Sequence, residues 1–404
     1  MNPYIIIGNG IAGNAAAENI VKIEPQRKIV MFTRENHYFY YTPALPEYLA
    51  GEKDIKDFTI HNAQWYEKNK IELHLNTTVT SIDPQNKSIN TDKDQTFKYD
   101  KLLLATGGYS FVPPIPGANS QGVYTLRTIA DADRIKTKAK SSKEVVLIGG
   151  GLLGLEAGNG LRKIGLKVKV VEYFPRLLPR QMDTESAAVL QKELEEMGFK
   201  FYLGAVTKEI REARARLSVH LEKGDELSAD MVLISAGVRP ELTLAKSLNL
   251  EIDKGVQVDD HMQTGIKDIY AAGDLVEHQK RFYGIWPASM EQGRIAGANM
   301  AGEKKVYQGT VPVNSLKVAG IDLTSAGDID PENQMESIVF RDQKNHIYRK
   351  FVIKNNNILG TILFGNIRGS KEILEAIKNK KDISAWKDKL GRQDFDFGLW
   401  QQPE

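Results

Sequence analysis

Two glycine-rich segments carry the clearest chemistry in this sequence. In such a segment the first glycine permits a tight turn, the second lets the backbone approach a pyrophosphate, and the third lets a helix pack closely on a strand. The N-terminus of that helix offers free N–H groups and a positive dipole end to a phosphate. One copy would be weak evidence, because the glycines could serve packing alone, but two copies predict two bound dinucleotides. The segments are Gly8-Asn9-Gly10-Ile11-Ala12-Gly13 after Tyr4-Ile5-Ile6-Ile7, and Gly149-Gly150-Gly151-Leu152-Leu153-Gly154 after Val145-Val146-Leu147-Ile148.

An acidic residue follows each glycine segment at about the 20-residue distance expected for a contact with an adenosine ribose. Glu35 comes after the predicted strand 28–32, and Glu172 ends the predicted strand 167–171. A carboxylate there accepts hydrogen bonds from both ribose hydroxyls and repels a 2′-phosphate, so Glu172 favours NADH over NADPH. Arg176 complicates this prediction, because its guanidinium could reach a 2′-phosphate.

Small residues end three further predicted strands. Ligands of open α/β sheets bind at the carboxyl ends of the strands, where small residues let a ligand lie against the backbone. These turns are therefore predicted to line the same sites as the glycine segments. They are Ala105-Thr106-Gly107, Ala236-Gly237 and Ala271-Ala272-Gly273-Asp274.

The composition narrows the class of protein. A chain of 404 residues has room for several domains, and its formal net charge of +2 gives no indication of nucleic-acid binding. No apolar stretch approaches the roughly 18 residues of a membrane span, and the first strand begins too close to Met1 for a signal peptide. We therefore expect a cytoplasmic protein. The absence of cysteine excludes disulfides, thiolate-bound clusters and thiol nucleophiles, and the scattered histidines predict no metal site.

The order of these motifs resembles the FAD-dependent pyridine nucleotide-disulfide oxidoreductase superfamily from residue 1 to about residue 317. The resemblance implies an α/β fold of two Rossmann-like three-layer domains, the second inserted in the first, followed by a small α+β C-terminal domain. The implied FAD domain comprises 1–113 and 240–317, the NAD(H) domain 114–239, and the C-terminal domain 318–404. The proline-rich segment 113–117 and Arg239-Pro240 suit the two crossings between domains.

The resemblance also assigns cofactor contacts to individual residues. It implies FAD at Gly8, Gly10, Gly13, Glu35, Thr106, Gly107 and Asp274, and NAD(P)H at Gly149, Gly151, Gly154, Glu156 and Glu172. Trp286 opens a helix that in relatives points at the flavin. The Trp286 side chain either shields one edge of the flavin ring or packs in the core. Further candidate cofactor contacts are Ile11, Ala12, Ala105, Leu152, Leu153, Gly237, Gly273 and Ala288.

Two glutamates are the candidate catalytic residues. Glu156, two residues after Gly154, is expected in the first turn of the helix that faces the nicotinamide in relatives. The other interpretation is an acid that merely stabilises a helix N-terminus. Glu47 ends the segment Thr42-Pro43-Ala44-Leu45-Pro46-Glu47, where thiol-dependent relatives carry a cysteine and ferredoxin reductases carry an arginine and a flavin-proximal lysine.

Within the superfamily, the C-terminal sequence is most similar to the branch of NADH:rubredoxin oxidoreductases and nitrite reductase flavin domains. The resemblance lies in residues 316–328, 348–353 and 358–365, although the branch's arginine near residue 42 is missing. It implies an FAD enzyme, monomer or homodimer, that passes electrons from NADH to a small one-electron carrier such as rubredoxin. The alternatives are a hydrogen-peroxide-forming NADH oxidase, the electron-input subunit of a nitrite or nitrate reductase system, and a redox-sensing flavoprotein. Lys280, Arg281 and the basic segment 371–392 are possible docking residues. For the segment, a solvated helix face is the simpler explanation.

Overall fold

The chain folds into two compact units in a computed structural model that describes residues 2–213, 216–318 and 320–401. The first unit comprises Met1–Thr42, Lys53–Tyr109 and Val238–Thr310, and the second comprises Pro43–Glu52, Ser110–Gly237 and Val311–Glu404. The crossings near residues 109 and 238 lie close to the predicted ones. The predicted domain limits themselves stay a prediction.

The first unit is built on a five-stranded parallel sheet. Its three central strands are apolar and fully buried because both faces of a parallel sheet are covered, whereas the edge strand Ile71–His74 carries Glu72 and His74. Two small three-stranded sheets accompany it: Val79–Asp83, Ser88–Thr91 and Thr96–Lys98, and Val256–Gln257, Val276–His278 and Arg281–Phe282. The order across the main sheet is Ile269–Ala271, Leu102–Leu104, Tyr4–Ile7, Ile29–Phe32 and Ile71–His74.

Two long helices pack against each other in the first unit, Ile11–Ile23 and Trp286–Met300. They approach closely because glycines meet small residues: a Cβ at Gly293 would lie 2.2 Å from the Ala12 carbonyl oxygen, and one at Gly297 would lie 2.3 Å from that of Ala16. The shorter helices are Ile55–Phe58, Ala63–Lys68 and Thr243–Ser247.

The second unit repeats the parallel design. Its five-stranded parallel sheet has the order Lys200–Leu203, Lys167–Glu172, Glu144–Ile148, Met231–Ile234 and Val123–Tyr124. An antiparallel sheet of Thr207–Ala213, Arg216–Leu221 and Glu226–Ala229 accompanies it. The helices are Leu45–Leu49, Ile129–Ala139, Leu152–Lys163 and Thr184–Glu196.

The C-terminal part of the second unit is an antiparallel sheet followed by a helix, Ser370–Asn379. The order of the sheet is Val313–Val318, Ile321–Gly327, Asn357–Phe364, Ile347–Lys354 and Ser337–Asp342. The strand Val313–Val318 begins before residue 318, the predicted start of the C-terminal domain. Ala319, in the segment 316–328 that carries the resemblance, lies outside the described residues. Short 3-10 helices occupy Thr42–Ala44, Ser384–Lys389 and Phe397–Gln401.

The C-terminal sheet shares a core with the parallel sheet of the second unit. Tyr348, Ile362 and Phe364 join the cluster formed by that sheet and its helices. The buried side chains of Lys350 and Asp183 lie 3.4 Å apart within this unit. In the part of the chain that the structure describes, no helix is both long and apolar enough to cross a membrane.

Candidate functional site

The first glycine segment turns tightly between the strand Tyr4–Ile7 and the helix Ile11–Ile23. Gly8 has a φ of +123°, and a Cβ there would lie 2.0 Å from the Ala105 carbonyl oxygen. A Cβ at Gly13 would lie 2.1 Å from the carbonyl oxygen of Gly8. Gly10 differs, because a Cβ there would meet nothing within 4 Å. Gly8 and Gly13 are therefore required by packing, whereas Gly10 borders open space.

A buried polar network braces this first turn from behind. Asn14, which is fully buried, donates from Nδ2 to the carbonyl oxygens of Asn9 and Gly10 and to Asn9 Oδ1, each at 3.0 Å. The Tyr66 hydroxyl donates to Asn14 Oδ1 and Asn9 Oδ1, both at 2.8 Å. Burial raises the pKa of Tyr66, so its hydroxyl stays protonated and remains a donor.

The predicted turn at residues 105–107 lies beside the first glycine segment. The Thr106 hydroxyl donates to the Glu241 carbonyl oxygen at 3.1 Å, and the Glu241 N–H donates to the Gly107 carbonyl oxygen at 2.9 Å. Gly107 has a φ of +68° and open space where a Cβ would stand. These hydrogen bonds tie the returning chain to the turn that borders Gly8.

The turn at Gly273-Asp274 lies against the start of the first long helix. A Cβ at Gly273 would lie 2.9 Å from the Ala12 Cβ, and the Gly273 N–H donates to Gln292 Oε1 at 2.9 Å. Ser289 Oγ donates to Asp274 Oδ1 at 3.0 Å. The structure therefore brings this turn together with Ile11, Ala12 and the buried Ala288 at the ends of two packed helices.

Glu35 and Trp286 lie near aromatic side chains of the first unit. The Tyr40 hydroxyl donates to Glu35 Oε2 at 2.7 Å. Trp286 stacks on Phe39, with ring centroids 5.9 Å apart, and meets Tyr41 edge to face at 5.0 Å. Of the two interpretations of Trp286, these contacts support packing, and the residue is half-buried.

The second glycine segment reproduces the packing of the first. A Cβ at Gly149 would lie 2.2 Å from the Ser235 carbonyl oxygen, and one at Gly154 would lie 2.5 Å from that of Gly149. Gly151 and Gly237 border open space. Leu152 and Leu153 form the first turn of the helix Leu152–Lys163, and Leu153 is exposed.

Glu172 contacts the second glycine segment directly. Its Oε2 accepts the Gly150 N–H at 2.6 Å, its Oε1 accepts the Phe174 N–H at 2.8 Å, and the residue is 6 % exposed. Each carboxylate oxygen keeps a second lone pair for another donor. The Glu172 carboxylate therefore lies beside the loop, whereas the carboxylate of Glu35 accepts the hydroxyl of Tyr40. The ribose contacts of both acids stay a prediction.

Arg176 points to a residue of the C-terminal part of the unit. Its Nη2 lies 2.8 Å from Glu332 Oε1, and only 17 % of its side chain is exposed. The Arg176 Nε is buried and has no hydrogen-bond partner among the described residues. Arg176 is therefore engaged by a carboxylate rather than turned freely to solvent.

Glu156 and Glu47 interact electrostatically within the second unit. Burial, and then the negative charge of Glu47, raises the pKa of Glu156 to about 7. The helices that carry them pack closely, since a Cβ at Gly160 would lie 2.8 Å from the Pro46 carbonyl oxygen. Glu47 itself is exposed.

The predicted position of Glu156 in the first helical turn was wrong. The helix begins at Leu152, and its first turn contains no acidic residue. Glu156 therefore lies in the second turn, where the helix dipole stabilises a carboxylate less because its effect falls off within the first turn. This weakens the interpretation of Glu156 as an acid that stabilises the helix N-terminus. The raised pKa of Glu156 agrees with this weaker role.

Several residues of these sites were not predicted from the sequence. Asn14, Tyr66 and Gln292 hold backbone groups of the turns, but a single Asn, Tyr or Gln has no distinctive spacing. Gly293 and Gly297 did carry a signal, because small residues four apart on a helix indicate a close helix contact. Among the described residues, no group of three or more His, Cys, Asp or Glu is placed to hold a metal ion.

The chain is similar to proteins of known families along nearly its whole length. Residues 2–293 match the model of the pyridine nucleotide-disulphide oxidoreductases, and residues 312–381 match that of the rubredoxin NAD+ reductase C-terminal domain. The nitrite reductase [NAD(P)H] of Bacillus subtilis is 38% identical over 94% of this chain, which spans only 48% of that protein. The NADH-rubredoxin oxidoreductase of Clostridium acetobutylicum is 32% identical, and the match covers 94% of this chain and 95% of that protein.

The crystal structure of the Clostridium acetobutylicum NADH:rubredoxin oxidoreductase has the same fold. It superposes with a TM-score of 0.80 at 30% identity, covering 99% of this chain and 100% of the other. These similarities confirm the predicted superfamily and branch, the fold class and the cofactor pair. The chain belongs to the pyridine nucleotide-disulphide oxidoreductases, a family of oxidoreductases that use FAD and NADH.

Proposed function

We propose that this protein takes electrons from NADH onto FAD and passes them to a small one-electron carrier protein of the rubredoxin type. The observation that carries this proposal is the match to an NADH-rubredoxin oxidoreductase over 95% of that protein's length, including the C-terminal domain. Bound FAD supplies the redox chemistry, because it accepts two electrons at once and can release them singly. The residues of the chain bind the cofactors, orient them and shield them from water.

We assign FAD to the first glycine segment on the fit of its residues. Gly10 and Gly107 border open space, whereas backbone atoms occupy the space where a Cβ of Gly8 or Gly13 would stand. This is the division expected if a pyrophosphate lies against the open glycines and the other two serve packing. The N-cap residue Gly10 carries no side chain over the helix N-terminus, so the backbone N–H groups there are available to a phosphate.

We assign NADH to the second glycine segment by the same division. Gly151 and Gly237 border open space beside the carboxylate of Glu172. A 2′-phosphate placed there would meet a nearly buried negative charge, which disfavours NADPH. Arg176, the residue that complicated the prediction, is engaged by Glu332. Both observations support NADH as the electron donor.

The absence of cysteine bears on how electrons leave the reduced protein. Relatives that pass electrons to a disulfide or a peroxide through a thiol need a cysteine, and this sequence contains none. Electrons that enter this chain therefore leave it from the flavin to an external acceptor. A carrier protein suits that requirement better than a thiol-dependent substrate.

A second candidate is the electron-input part of a nitrite reductase system. The 38% identity to the Bacillus subtilis enzyme supports it, although the chain spans about half the length of that protein. In this case the electrons would pass from the flavin to the nitrite-reducing centre of that system.

The test is a comparison of acceptors. The purified holoprotein is reduced anaerobically with one equivalent of NADH, and reoxidation of the flavin is followed after mixing with rubredoxin, ferredoxin, a quinone or oxygen. The proposal predicts that rubredoxin reoxidises the flavin fastest. Oxygen as the fastest acceptor would indicate a hydrogen-peroxide-forming oxidase instead, and slow reoxidation by every acceptor would favour a redox sensor.

A further inference from the structure

We propose that Glu332, in the C-terminal part of the chain, is a specificity-determining residue for the dinucleotide, because it holds Arg176 away from the position of a 2′-phosphate. This inference rests on the assignment of NADH to the second glycine segment. It gives the C-terminal loop a role in choosing the electron donor in addition to any role in docking an acceptor.

Arg176 belongs to a short excursion of the chain that starts and ends at the glycine segment. Glu172 accepts the N–H of Gly150. Leu177 Cδ2 lies 2.9 Å from the point where a Cβ of Gly150 would stand. The Leu178 N–H donates to the Gly150 carbonyl oxygen at 3.4 Å. Arg176 stands between these two anchors, four residues after Glu172 in the chain, and a guanidinium is well suited to bind a phosphate.

The ion pair with Glu332 uses that guanidinium. Arg176 Nη2 lies 2.8 Å from Glu332 Oε1, while the Arg176 Nε is buried without a hydrogen-bond partner among the described residues. The Arg176 side chain is only 17 % exposed, whereas that of Glu332 is 63 % exposed. Without this carboxylate, the nearest new anion would attract the guanidinium.

The loop that carries Glu332 is held in place by buried groups. Lys350, which is fully buried, donates to the Asp330 carbonyl oxygen at 2.7 Å and to Asn333 Oδ1 at 2.6 Å. Asp330 Oδ1 and Oδ2 in turn accept the N–H groups of Gln334 and Met335. Glu332 therefore projects from a fixed loop, and the ion pair does not require a mobile segment to be ordered.

The experiment measures the preference for NAD+ over NADP+ directly by calorimetric titration of the oxidised holoprotein. The background is Glu172→Gln, because the intact carboxylate masks any gain in affinity for a 2′-phosphate. In that background, Glu332→Gln should shift the ratio of the two dissociation constants towards NADP+ by about tenfold or more, the value of one charge-assisted hydrogen bond to phosphate. Adding Arg176→Gln should cancel the shift.

Glu185→Gln is the matched control, because Glu185 also pairs with an arginine, Arg341, on the exposed surface of the same unit. This substitution should change the ratio of the two dissociation constants by no more than about twofold. An unchanged ratio in the Glu332→Gln variant would overturn the inference, as would a shift that persists without Arg176 or one that Glu185→Gln reproduces.

The outcome separates this inference from the proposed function. The proposed function is judged on the unmodified chain, by reduction of its flavin with NADH. A chain whose flavin is reduced, but whose ratio does not respond to Glu332, loses only the inference. A chain whose flavin is not reduced by NADH, but whose ratio does respond, loses only the proposed function.

Discussion

At the scale of single residues, the two glycine segments are braced in different ways. In the second segment the Glu172 carboxylate accepts a backbone N–H of the turn. In the first, Asn14 donates to backbone carbonyl oxygens of the turn and is itself held by Tyr66. The position equivalent to Asn14 in the second segment is Leu155, so the amide brace is specific to the first turn.

Replacing Asn14 should therefore loosen FAD selectively. Asn14→Leu removes the amide that donates to the half-buried Asn9 carbonyl oxygen and to Asn9 Oδ1, at a cost of about 1–3 kcal/mol, so we expect FAD to dissociate about tenfold faster. Release is measured by dilution and flavin fluorescence. Asn19→Leu on the same helix removes a comparable bond to the Ala15 carbonyl oxygen and is the control. Equal release rates in the two variants would show that the brace does not act on FAD.

The Glu156 carboxyl gives a pH-dependent prediction. Its pKa rises from an ordinary 4.5 to about 7 in the folded state, first through burial and then through the charge of Glu47. Between these values the folded state binds more protons than the unfolded chain, so this group lowers stability progressively as the pH rises through that window.

Glu156→Gln should remove this loss of stability. Relative to the parent, the variant should gain nothing in Tm near pH 4.5 and should gain most above pH 7, the two pKa values that bound the window. Melting of the two proteins across this range is the measurement. A difference in Tm that does not depend on pH would refute the assigned pKa.

At the scale of elements, the contact between the helices Ile11–Ile23 and Trp286–Met300 positions the turns of the first unit. Gly297→Ala replaces a glycine by a better helix former, worth about 1 kcal/mol on an exposed helix. Here the new Cβ would lie 2.3 Å from the Ala16 carbonyl oxygen, and forcing the helices apart costs about 1–3 kcal/mol. We expect a net loss of Tm and weaker retention of FAD.

The exposed Arg294 on the same helix provides the control, since Arg294→Ala should change stability by no more than about 0.5 kcal/mol. A Gly297→Ala variant that is as stable as the parent, or more so, would mean that the helices separate without cost.

The elements also show what the sequence can and cannot predict. The strands before each glycine segment, the helices after them and the helix at residues 370–378 were predictable, because apolar runs, glycines and helical periodicity are local signals. The branch of the family was also predictable from local motifs. The brace by Asn14 and Tyr66 and the pairing of Arg176 with Glu332 were not, because each joins residues far apart in the chain. The position of Glu156 relative to the start of its helix at Leu152 was misjudged by one turn.

At the scale of the whole molecule, buried charge fixes the C-terminal sheet within the second unit. Asp183 caps the helix Thr184–Glu196, accepts the Tyr348 hydroxyl at 2.6 Å and lies 3.4 Å from Lys350 Nζ. Burial alone would raise the pKa of Asp183, but hydrogen bonds from Tyr348 and Ser186 and the charge of Lys350 hold it below its usual value. The stability from this group is thus present above the ordinary pKa of an aspartate and is lost as the pH falls through the lowered value.

Lys350→Met should destabilise the second unit by about 3–5 kcal/mol, because it leaves the Asp183 charge buried without its cation. Chemical unfolding followed by tryptophan fluorescence measures the change. Lys387→Met breaks a partly exposed pair with Glu336 and should cost no more than about 1 kcal/mol. Equal effects of the two substitutions would show that the buried pair contributes no more than a surface pair.

The central claim is that NADH, bound at the second glycine segment, reduces FAD bound at the first. Its most direct test is to mix the oxidised holoprotein anaerobically with NADH, and separately with NADPH, and to follow the flavin absorbance in time. We predict that NADH bleaches the flavin completely, and faster than NADPH does. A flavin that NADH leaves oxidised would contradict the claim.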